Sequence, residues 1–237
     1  MDFSRFEWMV DRAQLFFPTA DNLGDPLEGT TPQAEIDWWD RELANADTDE
    51  RRATIRHNRS FFAHFAEVLR KKYYVSCWHM NEFENNVMWG AFTQTKDSVA
   101  IRTTYADLQQ SLPNFAFIGT VRYLDYGADT LPDRTNMFEW IMHKEALYRG
   151  ECEVRAVIVQ PIDEDHGLAE FNKHHYRKAD DPDFCMFAPP IDLSKIIRQV
   201  IVHPDASPEF RARVEALCAS KGLPVPTQSR RHRQPVF

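Results

Sequence analysis

The residues best suited to chemistry lie where charged side chains precede an apolar segment. The sequence RGECEVR at 149–155 continues into the apolar run AVIV at 156–159, which is typical of a core strand. Because side chains alternate between the two faces of a strand, we expect Glu151, Glu153 and Arg155 on one face. Carboxylates in such a cluster acquire shifted pKa values suited to general acid or base catalysis. An internal Glu–Arg ion pair at a strand edge is the alternative interpretation.

A second polar group follows the apolar run that ends at SCWHMNEFE, residues 76–84. Strand ends beside helix N-termini are common ligand sites in α/β folds. Here His79 can orient a substrate or move a proton, and Asn81 can bond a base edge or a sugar. Trp78 and Trp89 are suited to stacking on a nucleobase. Indole rings at this spacing are, however, more often core residues.

A third candidate is the turn GDPLEG at 24–29. Turn chemistry alone explains its glycines and its proline. It does not require Glu28, so we assign Asp25 and Glu28 as candidate substrate-binding residues. A phosphate-binding glycine loop, a G-x-S-x-G elbow, an H-E-x-x-H pair and spaced Cys/His ligands are all missing from the sequence. We therefore predict no metal site, no metal-dependent hydrolysis and no nucleoside-triphosphate turnover.

The elements that must position these residues form a helical block followed by a strand-rich core. Helical periodicity covers about 33–45 and 49–72, which defines the block at about 33–72. Predicted strands follow at 73–79, 98–103, 115–126, 153–159 and 196–203, with helical stretches near 84–94, 105–112 and 137–149. We expect a long loop over 160–190 and a last helix from Ser207 to about Gly222. The pattern predicts an α/β (α+β) fold with a central mixed sheet, flanking helices and a single domain over 1–237, its strand-rich core at about 73–229.

Charge and cysteine usage limit the partners. The formal charge of −8 argues against a general polyanion binder. Two segments are nevertheless locally basic, KHHYRK at 173–178 and RRHR at 230–233. From the first of them we assign candidate contacts to a nucleic-acid backbone: Lys173, His174, His175, Arg177 and Lys178.

Compartment is predicted from two absences in the sequence. The cysteines at 77, 152, 185 and 218 are far apart and form no C-x-x-C pair, which favours reduced thiols. Apolar runs stay well short of the roughly 20 residues that span a bilayer, and the opening MDFSR differs from a secretory signal. We expect a cytoplasmic protein with no membrane partner, and the sequence indicates no oligomeric state.

Motifs spread over most of the chain resemble a bacterial family known as domain of unknown function 2971. They are LFF at 15–17, GDPLEG at 24–29, VSCWH at 75–79, Met88-Trp89, AIRTT at 100–104, VRYLDY at 121–126, Lys144 with Tyr148, and Glu151-x-Glu153-Val154-Arg155. At position 145 the chain has Glu where the family commonly carries a second basic residue. Among the residues of these motifs, we assign Arg102, Lys144 and Arg155 as candidate substrate-binding residues. It brings no established activity.

A looser similarity is to ADP-ribosyltransferases, whose site ends in a Glu-x-Glu before a strand. Glu151-x-Glu153 and Thr103-Thr104 fit that outline. Those enzymes cleave the N-glycosidic bond of NAD, where a carboxylate stabilises a sugar with oxocarbenium character. Because this chain begins almost at its first helix, we expect the initial strand that carries their NAD-gripping arginine to be missing.

These observations predict an enzyme that cleaves an N-glycosidic bond. A base glycosylase acting on modified DNA without a cofactor ranks first, and the resemblance implies a setting in anti-phage defence. In this hypothesis Glu151 or Glu153 activates water or stabilises the sugar cation, while His79 and Arg155 hold base or phosphate. One alternative is an NAD-dependent transferase similar to ADP-ribosyltransferases. The other is a nucleotide-binding sensor module without catalysis.

Overall fold

The computed structural model describes residues 1–178, 181 and 184–230. The α-helices in this part of the chain are α1 Phe3–Arg12, α2 Gln33–Ala44, α3 Asp49–Arg70, α4 Asn86–Phe92, α5 Tyr105–Ser111, α6 Leu168–Lys173, α7 Leu193–Ile196 and α8 Pro208–Ser220. Short 3₁₀ helices lie at Ala20–Asn22, Met137–Trp140 and Ala146–Glu151. Within the described ranges, no helix has both the length and the apolar character that crossing a membrane requires.

The strands form several small sheets. They are β1 Phe17–Pro18, β2 Tyr73–His79, β3 Val99–Arg102, β4 Phe117–Thr120, β5 Arg122–Leu124, β6 His143–Glu145, β7 Glu153–Val159, β8 His175–Arg177, β9 Cys185–Phe187, β10 Gln199–Val202 and β11 Thr227–Gln228. The strand orders are β1-β9-β8, β11-β10-β3, β2-β7-β4 and β5-β6. The predicted mixed α/β class is confirmed, but its strands are divided among small sheets instead of forming one central sheet.

Contacts divide the chain into two compact units. The first unit comprises Met1–Phe16, Asn81–Asn114 and Ala188–Phe237, and contains the sheet β11-β10-β3. The second unit comprises Phe17–Met80 and Phe115–Phe187, and contains the other sheets. The assignment of one domain stays a prediction.

The sheet β2-β7-β4 is the framework of the second unit. Strands β2 and β7 pair antiparallel, with Tyr73 opposite Val159 and His79 opposite Glu153. Tyr73, Val75 and Val157 belong to a core cluster that also contains Trp140 of a 3₁₀ helix, and Cys77 packs against that cluster. Residues paired across an antiparallel ladder lie on the same face. The face that carries this core therefore also carries the polar ends of both strands.

The predicted helical block is confirmed as α2 and α3. The Thr48 hydroxyl accepts a hydrogen bond from the N–H of Arg51 at 3.1 Å and so caps α3. In the first unit, Ser207 caps α8 in the predicted manner, with Pro208 in the first turn. Gly222 follows α8 with φ +64°, a conformation that favours glycine.

Several element predictions are wrong in detail. The expected helix at 137–149 consists of two 3₁₀ helices with β6 between them. The expected strand at 115–126 is two strands, β4 and β5. The expected loop at 160–190 contains α6, β8 and β9, because Phe171 of α6 is fully buried and stacks on Phe187 of β9. Residues 179–180 and 182–183 of that loop lie outside the described residues.

Candidate functional site

Arg155 is the centre of a buried group of charges in the second unit. Its side chain has no exposed surface, and its donors bind the carboxylates of Glu28 and Glu153 and the carbonyl oxygen of Ile141 at 2.5 to 3.0 Å. A guanidinium group has five N–H donors, and these bonds use all of them. Arg155 therefore has no donor left for a substrate. This corrects its predicted role as a substrate ligand and makes it a positioning residue.

Glu28 reaches Arg155 because of the turn that precedes it. The Asp25 carboxylate accepts the N–H of Leu27 at 2.9 Å, and the Asp25 carbonyl oxygen accepts the N–H of Glu28 at 3.1 Å. Gly29 follows with φ +67°, where an added Cβ would also approach Arg70 Cγ at 3.1 Å. Glu28 is consequently buried, with 2% of its surface exposed. Asp25 is half-buried and its carboxylate forms the turn, which does not support its predicted role in substrate binding.

Glu153 is the second carboxylate bound to Arg155. Both of its oxygens accept bonds from the guanidinium, and the thiol of Cys77 is also hydrogen-bonded to it. Burial raises the pKa of Glu28 more than Arg155 lowers it. For Glu153 burial acts in the same direction, but the charge and hydrogen bonds of Arg155, with those of Cys77 and Lys144, lower the pKa overall. Glu153 is thus an ionised carboxylate with both oxygens bound by Arg155, which does not favour a role as the base for water.

Lys144 connects this buried group to a third carboxylate. Its Nζ lies 2.7 Å from Glu151 Oε2 and 3.8 Å from Glu153 Oε2. Burial disfavours the ammonium charge, yet the hydrogen bond to Glu151 and the nearby carboxylates raise the pKa of Lys144 overall. We call Glu28, Lys144, Glu151, Glu153 and Arg155 the ion network.

The ion network reaches solvent at one end. The side chains of Lys144 and Glu151 are 11% and 16% exposed, whereas those of Glu28, Glu153 and Arg155 are 3% exposed or less. Three carboxylates face two cations, so the network carries one negative charge in excess when its members are ionised. Glu151 is the carboxylate at the open end.

The position of Glu151 differs from the prediction. Glu151 ends the 3₁₀ helix Ala146–Glu151 and does not belong to β7. Cys152 separates the two elements in a left-handed conformation with φ +43°. Glu151 therefore approaches Glu153 through Lys144 and not through strand alternation.

His79 fixes the backbone at this point. Its Nδ1 donates to the carbonyl oxygen of Glu151 at 2.5 Å, and the N–H of Met80 donates to the carbonyl oxygen of Cys152 at 2.8 Å. The Nε2 atom of His79 is buried and has no hydrogen-bond partner among the described residues. His79 thus contacts the backbone of Glu151, one of the candidate catalytic residues.

Trp78 lies on the other face of the sheet. Its Nε1 donates to Ser76 Oγ at 3.1 Å, and residues two apart in a strand share a face. The alternating residue Cys77 is opposite Arg155 on the face that carries the network. Trp78 and Glu153 therefore lie on opposite faces of the sheet, which does not support a shared site for this indole and this carboxylate.

Three predicted site residues belong to the first unit. Trp89 is 5% exposed, donates to Glu84 Oε1 at 2.7 Å and contacts the ring of His203. It is a core residue there, as the alternative interpretation held. Asn81 accepts the N–H of Phe83 at 3.3 Å, and Arg102 is an exposed residue of β3. The ion network contains residues of the second unit only.

The residues of segment 173–178, which we predicted to contact a nucleic-acid backbone, differ in their contacts. Lys173 binds the carboxylate of Glu170 at 2.8 Å, and His174 approaches the same carboxylate at 3.4 Å. His175 is hydrogen-bonded to the Tyr74 hydroxyl at 2.9 Å, and burial lowers its pKa. Arg177 and Lys178 are exposed. In the second basic segment, residues 231–233 lie outside the described residues.

Aromatic residues that the sequence did not assign to the site complete it. The Tyr123 hydroxyl accepts the N–H of Glu153 at 2.8 Å, and Tyr123 is opposite Lys144 in the parallel pair β5-β6. The Tyr148 ring centroid lies 4.6 Å from the Lys144 Nζ, a cation–π contact. Tyr123 carried one signal, its place in the predicted strand 115–126, but the parallel pairing that uses it joins segments that are separated in sequence.

Buried next to Arg155, His143 forms a further polar contact. Its Nδ1 is 2.9 Å from the Tyr126 hydroxyl, and its Nε2 has no hydrogen-bond partner among the described residues. Burial, with the charges of Arg155 and Arg122, lowers the pKa of His143 to about 4. His143 is therefore neutral near pH 7.

Neither metal coordination nor a known relative defines this site. In the described ranges, no group of three or more His, Cys, Asp or Glu side chains is arranged to hold a metal ion. Comparisons of the chain with protein-family models, curated proteins and solved structures found no significant match. The resemblance to domain of unknown function 2971 stays a prediction.

Proposed function

We propose that this chain cleaves an N-glycosidic bond, in the first place that of a modified base in DNA, with Glu151 as the carboxylate that faces the sugar. The supporting observation is the position of Glu151, a carboxylate fixed at the solvent-accessible end of the ion network. Glu151 is held there by Lys144, and its backbone is held by His79. Glu28, Arg155 and Glu153 form the rigid support behind it.

The chemistry of this bond requires such a group. In hydrolysis the C–N bond breaks with its electron pair leaving on the base, water adds to C1′ of the sugar, and a proton from that water goes to the base. The sugar carries positive charge in the transition state, and a fixed carboxylate stabilises it. Held carboxylates that do not need to reorganise contribute most to such stabilisation. Arg177 and Lys178, which are exposed, are candidates for contacts to phosphate.

Glu151→Gln tests the assignment, because it keeps the shape of the side chain and removes the charge. We expect the rate of base release from modified DNA, without NAD, to fall by about 10²- to 10⁴-fold. The measurement counts abasic sites, with Glu67→Gln at an exposed position of α3 as the matched control. An unaltered rate for Glu151→Gln would contradict the role of this residue.

The same assay separates the alternatives. Abasic sites or modified products that form only with NAD would favour the ADP-ribosyltransferase-like alternative. A nucleotide-binding sensor is favoured by one observation, the use of all five Arg155 donors by protein partners. Nucleotide binding by the wild-type protein without any product would support that alternative and contradict the glycosylase proposal.

A further inference from the structure

The 3₁₀ helix Ala146–Glu151 presents an apolar tip next to the ion network. Leu147 is 89% exposed and Tyr148 is 39% exposed. Single exposed apolar residues are common on protein surfaces. Leu147 differs in that it shares one short helix with Glu151, the carboxylate at the open end.

Both ends of this helix are anchored. At its start, Glu145 accepts the N–H groups of Ala146 and Tyr126 at 3.0 and 3.2 Å. At its end, His79 binds the carbonyl oxygen of Glu151. Between these anchors the Tyr148 ring packs against the Lys144 ammonium. Leu147 is therefore an apolar protrusion on a backbone held at both ends.

Arg149 adds a cation to the same tip. It is exposed, and in the part of the chain that the structure describes it forms no ion pair with a carboxylate. Proteins that open a duplex combine an apolar wedge, which enters a base step, with rings that stack on bases and cations that contact phosphate. Leu147, Tyr148 and Arg149 supply these three groups consecutively.

We infer that Leu147 is a wedge that enters a base step of duplex DNA, with Tyr148 stacking on a displaced base and Arg149 contacting the adjacent phosphate. The inference rests on the proposed function. It specifies that the substrate is a double-stranded nucleic acid, in which the target base must leave the base stack before it can react. Glu151, which lies two residues after Arg149, would then face the sugar of the extruded nucleotide.

The experiment uses the full chain with Glu151→Gln, so that DNA is bound without release of the base, and a duplex containing 2-aminopurine beside the target base. We expect an increase in 2-aminopurine emission on binding, which Leu147→Ala reduces by about tenfold because no side chain then holds the base step open. Ile162→Ala, at another aliphatic side chain that is 83% exposed, is the matched control and should leave the emission unchanged. Arg149→Ala should weaken duplex binding and reduce its dependence on salt.

Activity provides a second readout in the chain with Glu151 intact. Leu147→Ala should slow base release from duplex DNA about tenfold and leave release from the single strand unchanged. If the wild-type chain releases no base but the emission increase still depends on Leu147, the proposed function fails and the wedge stands. If Leu147→Ala releases base from duplex and from single-stranded DNA at the wild-type rates, the wedge role of Leu147 is wrong and the proposed function is unaffected. Absence of any duplex binding, or a Leu147-dependent change in oligomeric state in place of a DNA effect, would overturn the inference.

Discussion

Replacing Arg155 with Ala is expected to lower the free energy of unfolding by about 3–5 kcal/mol. The substitution leaves Glu28 and Glu153 buried, close together and without their cation. A buried carboxylate without a cation has lost its hydration and has no ion pair to compensate for that loss. Two such carboxylates close together also repel each other. Chemical denaturation of both proteins, followed by circular dichroism, measures the difference.

A triple variant distinguishes the loss of a cation from the loss of packing. Replacing Glu28, Glu153 and Arg155 together with Met, Met and Leu removes all three charges and keeps most of the volume. Because a buried ionic triad contributes little net stability relative to apolar residues, we expect this variant to recover most of the lost free energy. A triple variant as unstable as Arg155→Ala would show that packing dominates. An Arg155→Ala protein within about 1 kcal/mol of wild type would contradict the ion network as described.

Acid is expected to destabilise the protein through His143, by up to about 3 kcal/mol between pH 6.5 and pH 4. Burial keeps His143 neutral in the folded protein and lowers its pKa to about 4, against an ordinary value of 6.5. Between these values the unfolded chain binds a proton that the folded chain does not. Stability is therefore lost as the pH falls through this window and is fully present above it.

His143→Asn checks this expectation. Asn retains a polar atom near the Nδ1 position, so that Tyr126 keeps a hydrogen-bonding partner, but it cannot take up a proton. The free energy of unfolding of this variant should depend less on pH between 4 and 6.5 than that of wild type. His57→Asn, on an exposed position of α3, is the control and should keep the wild-type dependence. Identical pH profiles for wild type and His143→Asn would refute the assignment.

The parts of the fold that could be predicted are those fixed by local pattern. The strands Tyr73–His79 and Glu153–Val159 have the predicted boundaries, because each is a continuous apolar run with a polar end. The helix after Ser207 follows from its cap and proline. The ion pair between Glu153 and Arg155 follows from period-two spacing, and it was the alternative interpretation of that motif.

The parts that could not be predicted depend on pairing between distant segments. The face of Trp78 is set by the register that places Cys77 opposite Arg155, and no local signal specifies that register. The segment 143–145 is a strand because it pairs with Arg122–Leu124, although its local pattern is helical. The left-handed Cys152 separates β7 from the preceding 3₁₀ helix and places Glu151 on that helix, outside the strand alternation that the sequence suggested.

The long separation between β2 and β7 also has a kinetic consequence. Tyr73 pairs with Val159, and His79 pairs with Glu153, only after the long chain segment between the two strands has closed into a loop. Closing this loop reduces the conformational entropy of the chain before the stabilising contacts between the strands have formed. Loop closure therefore slows folding. Helices α2 and α3 form by local contacts, whereas the ion network needs the completed ladder. We therefore expect Arg155 substitutions to accelerate unfolding and to leave the folding rate nearly unchanged, which stopped-flow kinetics can measure.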